Sequence, residues 1–491
     1  MEKRKKNSKD EALKSRKFYP PVVVVLGHVD HGKTTLLDAV RKTNVAQKEH
    51  GGITQKIGAS TVEVLHEGIK RKITFVDTPG HEAFSKMRSR GAQVADIGVL
   101  VVSATDGVMP QTKESIKLLL DAKIPYVVAL TKSDLPEKNP EKVKQQLLKE
   151  GIMLEKLGGN VPIIEVSAKT NKNIKELLEL ILLTLEIEKQ PEALDKNEKG
   201  EFRAIIIESK LDLRAGPKAT IVVKNGMISV KEELLCEGIE GKTRAFINDK
   251  GEHLTSATIG DAVEILGFEK VPPVGGIVLK KSETSIKKVE NLPLKPFVRK
   301  EIEEFPLSVI IGADTQGSLE AIVNSLPKNI NIVSQKTGEI TPADVLLAKS
   351  VGAIILGFNL KLKNDVLRFA SLEKVLLKNY AIIYELIDEI KDALEGKELS
   401  LEEKIFGKAK ILASFPFEKT QVLGVIVLEG RIAKGDRVRL LRDKDIIGES
   451  YLSSLRQGKN SISKVEKGQE AGTILAPFLD FTIGDMLVCH S

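Results

Sequence analysis

Between residues 22 and 188, runs of apolar and mostly β-branched residues alternate with segments whose apolar residues recur every three or four positions. The runs predict buried β-strands, and the wider spacing predicts amphipathic helices. Strands that alternate with helices form a parallel sheet covered on both faces, and ligands bind at the carboxyl ends of its strands. The predicted strands read VVVVLG, KITFVDT, IGVLVVSA, YVVALT and IIEVSA, and the predicted helices read KTTLLDAVRK, TKESIKLLLDA and IKELLELILLTLEI.

The hydrophobic pattern changes further along the chain. Short strands separated by Gly and Pro turns predict an antiparallel β-barrel from residue 202 to about 280, and the same pattern returns after residue 407. Between these segments the chain alternates strand and helix again, and a helical connection is expected near residues 388–404. The expected segments are a basic tail at 1–17, an α/β domain at 18–190, a β-barrel domain at 200–290, a mixed α/β domain at 300–395 and a second β-barrel at 407–491.

The two β-rich segments share short stretches of sequence. KNGMISVKEEL at 224–234 resembles LEGRIAKGDRV at 428–438, and TIGDAVEI at 258–265 resembles TIGDMLVC at 482–489. This internal similarity predicts two barrels of one architecture on either side of the mixed domain.

Charge and composition narrow the class of protein. The formal net charge of the chain is +7, and residues 1–17 hold eight Lys and Arg against three Asp and Glu. This tail is expected either to contact an RNA backbone or to act only as a solubilising terminus. No run approaches the ~18 apolar residues of a membrane span. Cys236 and Cys489 have no metal-site spacing, so a reducing cytoplasm is expected.

The segment after the first predicted strand carries a phosphate-binding pattern. Gly27, Gly32, Lys33 and Thr34 fit G-x4-G-K-[ST]. The glycines let backbone N–H groups face phosphate oxygens, Lys33 neutralises phosphate charge, and the Thr34 hydroxyl is suited to Mg²⁺. The nucleotide-binding prediction for this loop covers Gly27, His28, Val29, Asp30, His31, Gly32, Lys33, Thr34 and Thr35.

The DTPGH segment follows the next predicted strand. Asp77 is placed to hold Mg²⁺ through water, and the Gly80 N–H to reach a γ-phosphate. Thr54, in the Gly-flanked segment before that strand, can close over Mg²⁺ when a γ-phosphate is present. His81 is the candidate for orienting the attacking water, and the alternative is a hydrogen-bonded structural histidine. His28 and His31 are expected to shape the loop.

Two later segments predict the choice of base. The carboxylate of Asp134 can accept two hydrogen bonds from guanine, whereas adenine offers neither donor. An unpaired buried charge costs free energy, so the pattern favours GTP over ATP. The guanine-side prediction covers Thr131, Lys132, Asp134, Ser167, Ala168 and Lys169.

These motifs resemble those of the translational GTPases, which share close variants of GHVDHGKTT, DTPGHEAF and DGVMPQT. The segments GGITQKIGA, MRSRGAQVADI and GADTQGSLEAI are similar to bacterial-type translation initiation factor two. The resemblance runs from about residue 20 to the end. It implies a multidomain α/β plus β fold with a phosphate-loop GTPase domain, a β-barrel, an α/β/α domain and a second β-barrel.

The resemblance also implies a role. Such factors bind GTP or GDP with Mg²⁺, engage the small ribosomal subunit and formyl-methionyl initiator tRNA, promote subunit joining and hydrolyse GTP on the ribosome. His81 matches the catalytic histidine, Val29 and Ile53 match the apolar gate beside it, and Asp30 matches an aspartate associated with a monovalent cation. The final barrel would hold the tRNA. We expect a monomer with ribosomal RNA, ribosomal protein and tRNA as partners and no membrane.

The chain departs from the family pattern at several positions. Thr131 replaces the usual Asn of the guanine motif, which predicts weaker base affinity or a compensating contact. In the final barrel, Arg456, Glu470 and Gly472 keep the pattern and are the tRNA-binding candidates. The departures there are Val425, Gln457, Gly458 and Ala471, and the sequence leaves open whether the formyl group is read.

Three other functions remain as alternatives. The archaeal and eukaryotic counterpart of the same factor is less consistent with DGVMPQT and with the short stretch between GGIT and DTPG. An elongator carrying aminoacyl-tRNA would need no α/β/α domain between its barrels. A GTP-dependent ribosome-binding or assembly factor without formyl-methionyl-tRNA recognition is supported by the altered final barrel.

Overall fold

The computed structural model describes residues 19–43, 45, 53–66, 68–155, 158–188, 200–283, 307–394, 405–417, 420–442, 445–457, 460–462, 464–476 and 479–490. The predicted basic tail lies outside the described residues, as do most of the charged connectors and the end of the expected helical connection. The described residues before 395 form one compact unit, and those from 405 onwards form another.

The first sheet has six strands in the order β2-β3-β1-β4-β5-β6, and every neighbouring pair is parallel except β2 with β3. Its strands are β1 (Val22–Gly27), β2 (Gly58–His66), β3 (Ile69–Asp77), β4 (Ile97–Ser103), β5 (Tyr126–Thr131) and β6 (Ile163–Glu165). The helices are α1 (Lys33–Arg41), α2 (Ser85–Val94), α3 (Pro110–Ala122), α4 (Pro140–Lys149) and α5 (Ile174–Glu188). The antiparallel strand β2 was not among the predicted strands, because its apolar residues are interrupted by Ser, Thr and Glu.

Strand β1 shows why this sheet is buried on both sides. Val23 and Val25 pack with α1 and α5, whereas Val24 and Leu26 pack with α2, α3 and α4. Successive side chains of a strand point to opposite faces, so a continuous apolar run is what a doubly covered strand requires. The loops that follow the strands therefore collect at one edge of the sheet.

The second sheet closes into a barrel, as predicted. Its strands run β10-β15-β7-β8-β14-β11, and a further pairing of β10 with β11 completes the ring. The ring strands are β7 (Arg203–Asp212), β8 (Gly216–Asn225), β10 (Glu233–Cys236), β11 (Ile239–Ile247), β14 (Ala262–Phe268) and β15 (Ile277–Lys280). The short strands outside the ring are β9 (Met227–Ser229), β12 (His253–Leu254) and β13 (Ser256–Thr258).

The mixed domain is an α/β/α sandwich around a four-stranded parallel sheet of order β17-β16-β18-β19. Helices α6 and α9 cover one face, and α7 and α8 cover the other. The elements are β16 (Leu307–Ala313), α6 (Gln316–Ser325), β17 (Ile330–Thr337), α7 (Pro342–Val351), β18 (Ile354–Phe358), α8 (Asn364–Leu372), β19 (Leu377–Tyr380) and α9 (Ile383–Leu394).

The last sheet also closes, in the order β20-β27-β22-β23-β26-β21, through an additional pairing of β20 with β21. Its ring strands are β20 (Ile405–Phe417), β21 (Thr420–Ala433), β22 (Arg437–Arg442), β23 (Asp445–Gln457), β26 (Glu470–Leu475) and β27 (Met486–His490). The strands β24 (Asn460–Ser461) and β25 (Lys464–Glu466) lie outside the ring.

The two rings have the same connectivity, but only one of the two repeated sequences occupies equivalent strands. The stretch 224–234 spans the end of β8 to the start of β10, and 428–438 spans the matching end of β21 to the start of β22. TIGD precedes β14 in one barrel and β27 in the other, and these two strands do not occupy equivalent positions in their rings. Its similarity is local, because Thr258 bonds Asp261 in the same turn that Thr482 makes with Asp485.

Candidate nucleotide-binding site

The phosphate loop connects β1 to α1 at the carboxyl edge of the first sheet. Gly27 and Gly32 have positive φ angles of 152° and 82°, and a Cβ at Gly27 would overlap the Val101 carbonyl oxygen. These positions require glycine because other residues are strained there. Among the described side chains none caps α1, so its first N–H groups remain available to an anion.

Lys33 occupies the middle of this loop. Its Nζ donates to the carbonyl oxygens of Gly27 at 3.0 Å and His28 at 2.7 Å. Burial lowers the pKa of Lys33 to about 8, against the opposing effect of the Asp77 carboxylate. A Cβ at Gly80 would lie 2.5 Å from the Lys33 Nζ, so a side chain at this position would displace the ammonium group. The ammonium group is therefore held where phosphate charge is expected.

Three oxygen-bearing side chains fit a magnesium ion. The hydroxyl oxygens of Thr34 and Thr54 lie 2.6 Å apart across the loop. Asp77 is buried, and its Oδ1 has no hydrogen-bond partner within the described part of the chain. Burial raises the pKa of Asp77 to about 6. Hydroxyl and carboxylate oxygens are donors that Mg²⁺ prefers, and a cation would compensate the buried carboxylate.

A cavity of about 180 Å³ lies between these segments. Thr34 and Thr54 line it, whereas Asp77, the last residue of β3, is not among its lining residues. The full lining is Val29, Asp30, Gly32, Lys33, Thr34, Thr35, Ile53, Thr54, Gly80 and His81.

His28 and His31 lie in the phosphate loop, and the role in shaping it that the sequence suggests stays a prediction. Their rings contact edge to face, with centroids 5.1 Å apart. Burial lowers the pKa of His31 to about 4, and neither of its ring nitrogens has a hydrogen-bond partner among the described residues. The His31 imidazole is therefore neutral at physiological pH and acts as a buried packing residue.

His81 caps a short 3₁₀ turn at Glu82–Phe84. Its Nδ1 accepts a hydrogen bond of 2.9 Å from the Ala83 N–H. The neutral ring then carries its proton on Nε2. Burial, reinforced by the nearby Arg88 guanidinium, lowers the pKa of His81. The imidazole is consequently a neutral donor at the wall of the cavity.

Arg88 anchors the segment that carries His81, and the sequence offered no isolated signal for it. The side chain is fully buried and donates to the carbonyl oxygens of Pro79 and His81, the former at 3.1 Å. Its second terminal nitrogen, Nη2, donates to both carboxylate oxygens of Glu114, at 2.7 and 2.6 Å. The ion pair with Glu114 fixes the buried guanidinium, and its Nη1 then holds the backbone on both sides of Gly80.

The predicted guanine-side residues lie at the ends of β5 and β6, outside the phosphate cavity. Thr131 donates to the carbonyl oxygen of His31 at 2.6 Å, which is a contact between the two loops. Lys132 pairs with Asp106 at 3.0 Å. A hydrogen bond from Ser167 holds the pKa of Asp134 below its usual range. The exposed Lys169 also acts on Asp134, and Ala168 lies between Ser167 and Lys169.

The last barrel contains a second cavity, of about 520 Å³. The three tRNA-binding candidates line it together with two of the departing positions, which strands β21, β23 and β26 place side by side. These five residues are Arg456, Glu470, Gly472, Val425 and Ala471. Gln457 follows Arg456 on β23 without lining the cavity, and Gly458 lies outside the described residues.

Comparisons with known proteins show which families the chain matches. Residues 21–186 match the family "Elongation factor Tu GTP binding domain", residues 201–281 match "Elongation factor G domain 2", and residues 281–391 match "Translation-initiation factor 2". Translation initiation factor IF-2 of Caldanaerobacter subterraneus subsp. tengcongensis is 42% identical over 98% of this chain and 71% of its own length. The chain belongs to the translation initiation factor IF-2 family.

A second family member, translation initiation factor IF-2 of Aquifex aeolicus, is 40% identical over 96% of this chain. The chain spans only 61% of that relative's length. The crystal structure of GDP-bound aIF5B from Aeropyrum pernix is 27% identical, covering 96% of this chain and 92% of that one, with a TM-score of 0.44.

Membership of the family confirms the resemblance stated from the motifs. The predicted fold class is also confirmed, because the GTP-binding domain is followed by a β-barrel, an α/β/α domain and a second β-barrel. The exact domain boundaries stay predictions. Within the described ranges, no helix is both long enough and apolar enough to cross a bilayer.

Proposed function

We propose that this chain is a translation initiation GTPase that binds GTP with Mg²⁺, engages the small ribosomal subunit and initiator tRNA, promotes subunit joining and hydrolyses GTP on the ribosome. The observation that carries the proposal is the cavity that Lys33, Thr34 and Thr54 line, together with the buried Asp77, whose Oδ1 has no hydrogen-bond partner among the described residues. We also propose that it acts in the cytoplasm as a monomer.

The phosphate side supports GTP binding through charge and geometry. The Lys33 ammonium and the first N–H groups of α1 would receive phosphate oxygens. Thr34, Thr54 and Asp77 would hold Mg²⁺, which when bound neutralises developing phosphate charge. The monovalent cation proposed near Asp30 would lie in the same cavity, where Asp30 adopts a left-handed φ of 61°.

Hydrolysis of the γ-phosphate requires a water molecule in line with the bond that breaks. His81 would orient that water. Because its Nδ1 is occupied by Ala83, the Nε2–H is the group available to act on water or a phosphate oxygen. This N–H group can orient the water molecule by donating a hydrogen bond, but it does not take a proton from it. Val29 and Ile53 line the same cavity and would limit access of the imidazole.

The base side supports guanine recognition through Asp134 and the backbone around Ala168. A carboxylate that is ionised at neutral pH can accept both guanine donors. The contact from Thr131 to the phosphate loop ties this base site to the triphosphate site.

The cavity in the last barrel would receive the aminoacyl end of initiator tRNA. Arg456 and Glu470 place one charge of each sign on an otherwise mostly apolar wall. Val425 and Ala471, two of the positions that depart from the family pattern, make that wall aliphatic. The competing function, ribosome binding or assembly without formyl-methionyl-tRNA recognition, rests on this altered wall.

GTP turnover tests the proposed reaction. The full chain is mixed with GTP alone, with each ribosomal subunit and with both subunits, and phosphate release is measured. The proposal expects a large stimulation that requires both subunits. Turnover that is unaffected by the subunits would contradict it.

Binding of tRNA separates the two functions. The full chain is titrated with formylated and unformylated initiator tRNA, with Arg456→Ala as the test variant and Arg437→Ala, on β22 of the same barrel, as the matched control. Preference for the formylated form and a loss confined to Arg456→Ala support initiation. No measurable tRNA affinity supports the assembly function.

A further inference from the structure

Gln55, the residue after Thr54, reaches into the α/β/α domain. Its Nε2 donates to the carbonyl oxygen of Ala381 at 2.8 Å, and its Oε1 accepts from the Ile383 N–H at 3.1 Å. The side chain is buried. Ile383 is the first residue of α9, so Gln55 satisfies an amino-terminal helix N–H that has no intrahelical partner.

The two residues after Gln55 also contact neighbouring domains. The Lys56 ammonium lies 2.5 Å from the carboxylate of Asp314, which follows β16 of the α/β/α domain. Ile57 packs with Ile207 and Val222 of the first barrel. The segment that carries Thr54 is therefore attached to both neighbouring domains, and its displacement would disturb each of them.

Tyr384 brings the same part of the α/β/α domain to His81. The two rings meet edge to face with centroids 3.9 Å apart and planes at 85°. His81 also lines the phosphate cavity. The tyrosine ring is therefore the nearest ring to an imidazole that also accepts from the Ala83 N–H and meets the Phe84 ring edge to face at 6.1 Å between centroids.

We propose that Tyr384 is a positioning residue for His81, and that Gln55 links its placement to the segment that carries Thr54. This inference rests on the proposed GTPase function. Residues 381–384 contact both Gln55 and His81. One short segment of the α/β/α domain therefore fixes the position of His81 relative to the segment that carries Thr54. Neither contact joins residues that are near in sequence.

The mechanism follows from rotamer freedom. With the tyrosine ring in place, rotation of the imidazole away from the cavity is blocked on one side. Without it, the imidazole samples orientations in which Nε2–H does not face the water, and misplacement of a catalytic group lowers the rate of the chemical step. Binding of GTP does not use this contact, so the KM should be unaffected.

The variants Tyr384→Ala and Tyr384→Phe of the full chain test the ring contact. GTP turnover with both ribosomal subunits is expected to fall about tenfold for Tyr384→Ala with an unchanged KM, because the histidine loses its fixed orientation. Tyr384→Phe keeps the ring and should stay within about twofold of the wild type. Leu372→Ala, at the exposed end of α8, controls for trimming this domain and should change nothing.

Gln55→Ala tests the link to the metal-side segment. It should lower turnover in the same direction as Tyr384→Ala, and the double variant should lose less than the product of the two single losses, because both act through residues 381–384. Multiplicative losses in the double variant would overturn the link.

A spectroscopic measurement separates positioning from general damage. In protein with labelled histidines, NMR follows the His81 imidazole as the pH changes. Tyr384→Ala exposes this ring, so its lowered pKa should rise, while the His28 and His31 signals keep their positions. Unchanged turnover and titration, an increase in turnover, or equal losses in Tyr384→Phe and Tyr384→Ala would each overturn the proposal. If even the wild type fails to hydrolyse GTP, the proposed function fails, and the titration alone decides the ring contact.

Discussion

The hydroxyl of Thr131 donates a hydrogen bond of 2.6 Å to the carbonyl oxygen of His31, so the base-side loop is tied directly to the phosphate loop. Both residues are buried. The position departs from the family's usual Asn, for which the sequence predicts weaker base affinity or a compensating contact, and this stays a prediction. The hydrogen bond makes the position of one loop depend on the other.

Removal of this hydroxyl should weaken the binding of GTP and of GDP to the same extent. In Thr131→Val the His31 carbonyl loses its partner, and an unsatisfied buried acceptor costs about 1–3 kcal/mol, part of which would appear as weaker binding of GTP and GDP. Fluorescent nucleotide titration measures the loss, and Thr131→Ser is the matched control that keeps the hydroxyl. Equal affinities for the valine and serine variants would show that the bond is dispensable.

Lys33→Ala should remove most of the affinity for GTP. The ammonium is held by two loop carbonyls inside the phosphate cavity, and no other described side chain lining that cavity carries a positive charge. Isothermal titration with GTP measures the effect. Lys113→Ala, which removes a half-exposed lysine of α3, controls for the change of net charge. GTP affinity that matches the control would contradict a phosphate role.

His81→Ala should retain GTP binding and lose ribosome-stimulated turnover. The imidazole lines the cavity but is not required to hold phosphate charge, and loss of an orienting group acts on the chemical step by roughly 10²-fold or more. Single-turnover phosphate release with both subunits measures it. A variant that turns over normally would assign His81 a purely structural role.

Asp134→Asn should shift the preference from guanine towards xanthine nucleotides. The amide presents a donor where the carboxylate presented an acceptor, and xanthine offers the complementary carbonyl. Competition of GTP and xanthosine triphosphate for the full chain measures the change. Asp121→Asn, at the exposed end of α3, is the control and should leave the preference for guanine intact.

Nucleotide affinity in the presence of Mg²⁺ should decline at both low and high pH, which gives its pH profile an acidic limb and an alkaline limb. Asp77, whose pKa burial raises to about 6, loses its negative charge as the pH falls through that value, so metal-dependent affinity should decline below it. Lys33, whose pKa burial lowers to about 8, loses its positive charge as the pH rises through that value. Titrations from acid to alkaline pH at constant Mg²⁺ test both limbs. Asp77→Asn should remove the acidic limb specifically, and an unchanged acidic limb in that variant would assign it to another group.

Much of the fold and of the phosphate site could be predicted from the sequence because the evidence is local. The valines of β1 are buried on both faces, and the glycines around Lys33 sit where their spacing requires a bent loop. Residues at the ends of parallel strands must gather at one edge, so Lys33 and Asp77 could be placed near each other before any distance was known.

Other features required the packed structure. The repeated TIGD looked like evidence of equivalent strands, yet it is a turn that two different strands share, because a Thr–Asp hydrogen bond depends only on nearby residues. Strand β2 escaped prediction because a half-exposed edge strand tolerates polar residues that obscure its apolar pattern.

The sequence by itself determined which residues could bind phosphate, magnesium and guanine, since spacing along the chain specifies the bend and the donors of each loop. Only the tertiary structure decided that Gln55 meets Ile383 and that Tyr384 contacts His81. The physical reason is separation along the chain. A hydrophobic pattern shows which face of an element is buried, but contacts between residues hundreds of positions apart depend on how complete domains pack together.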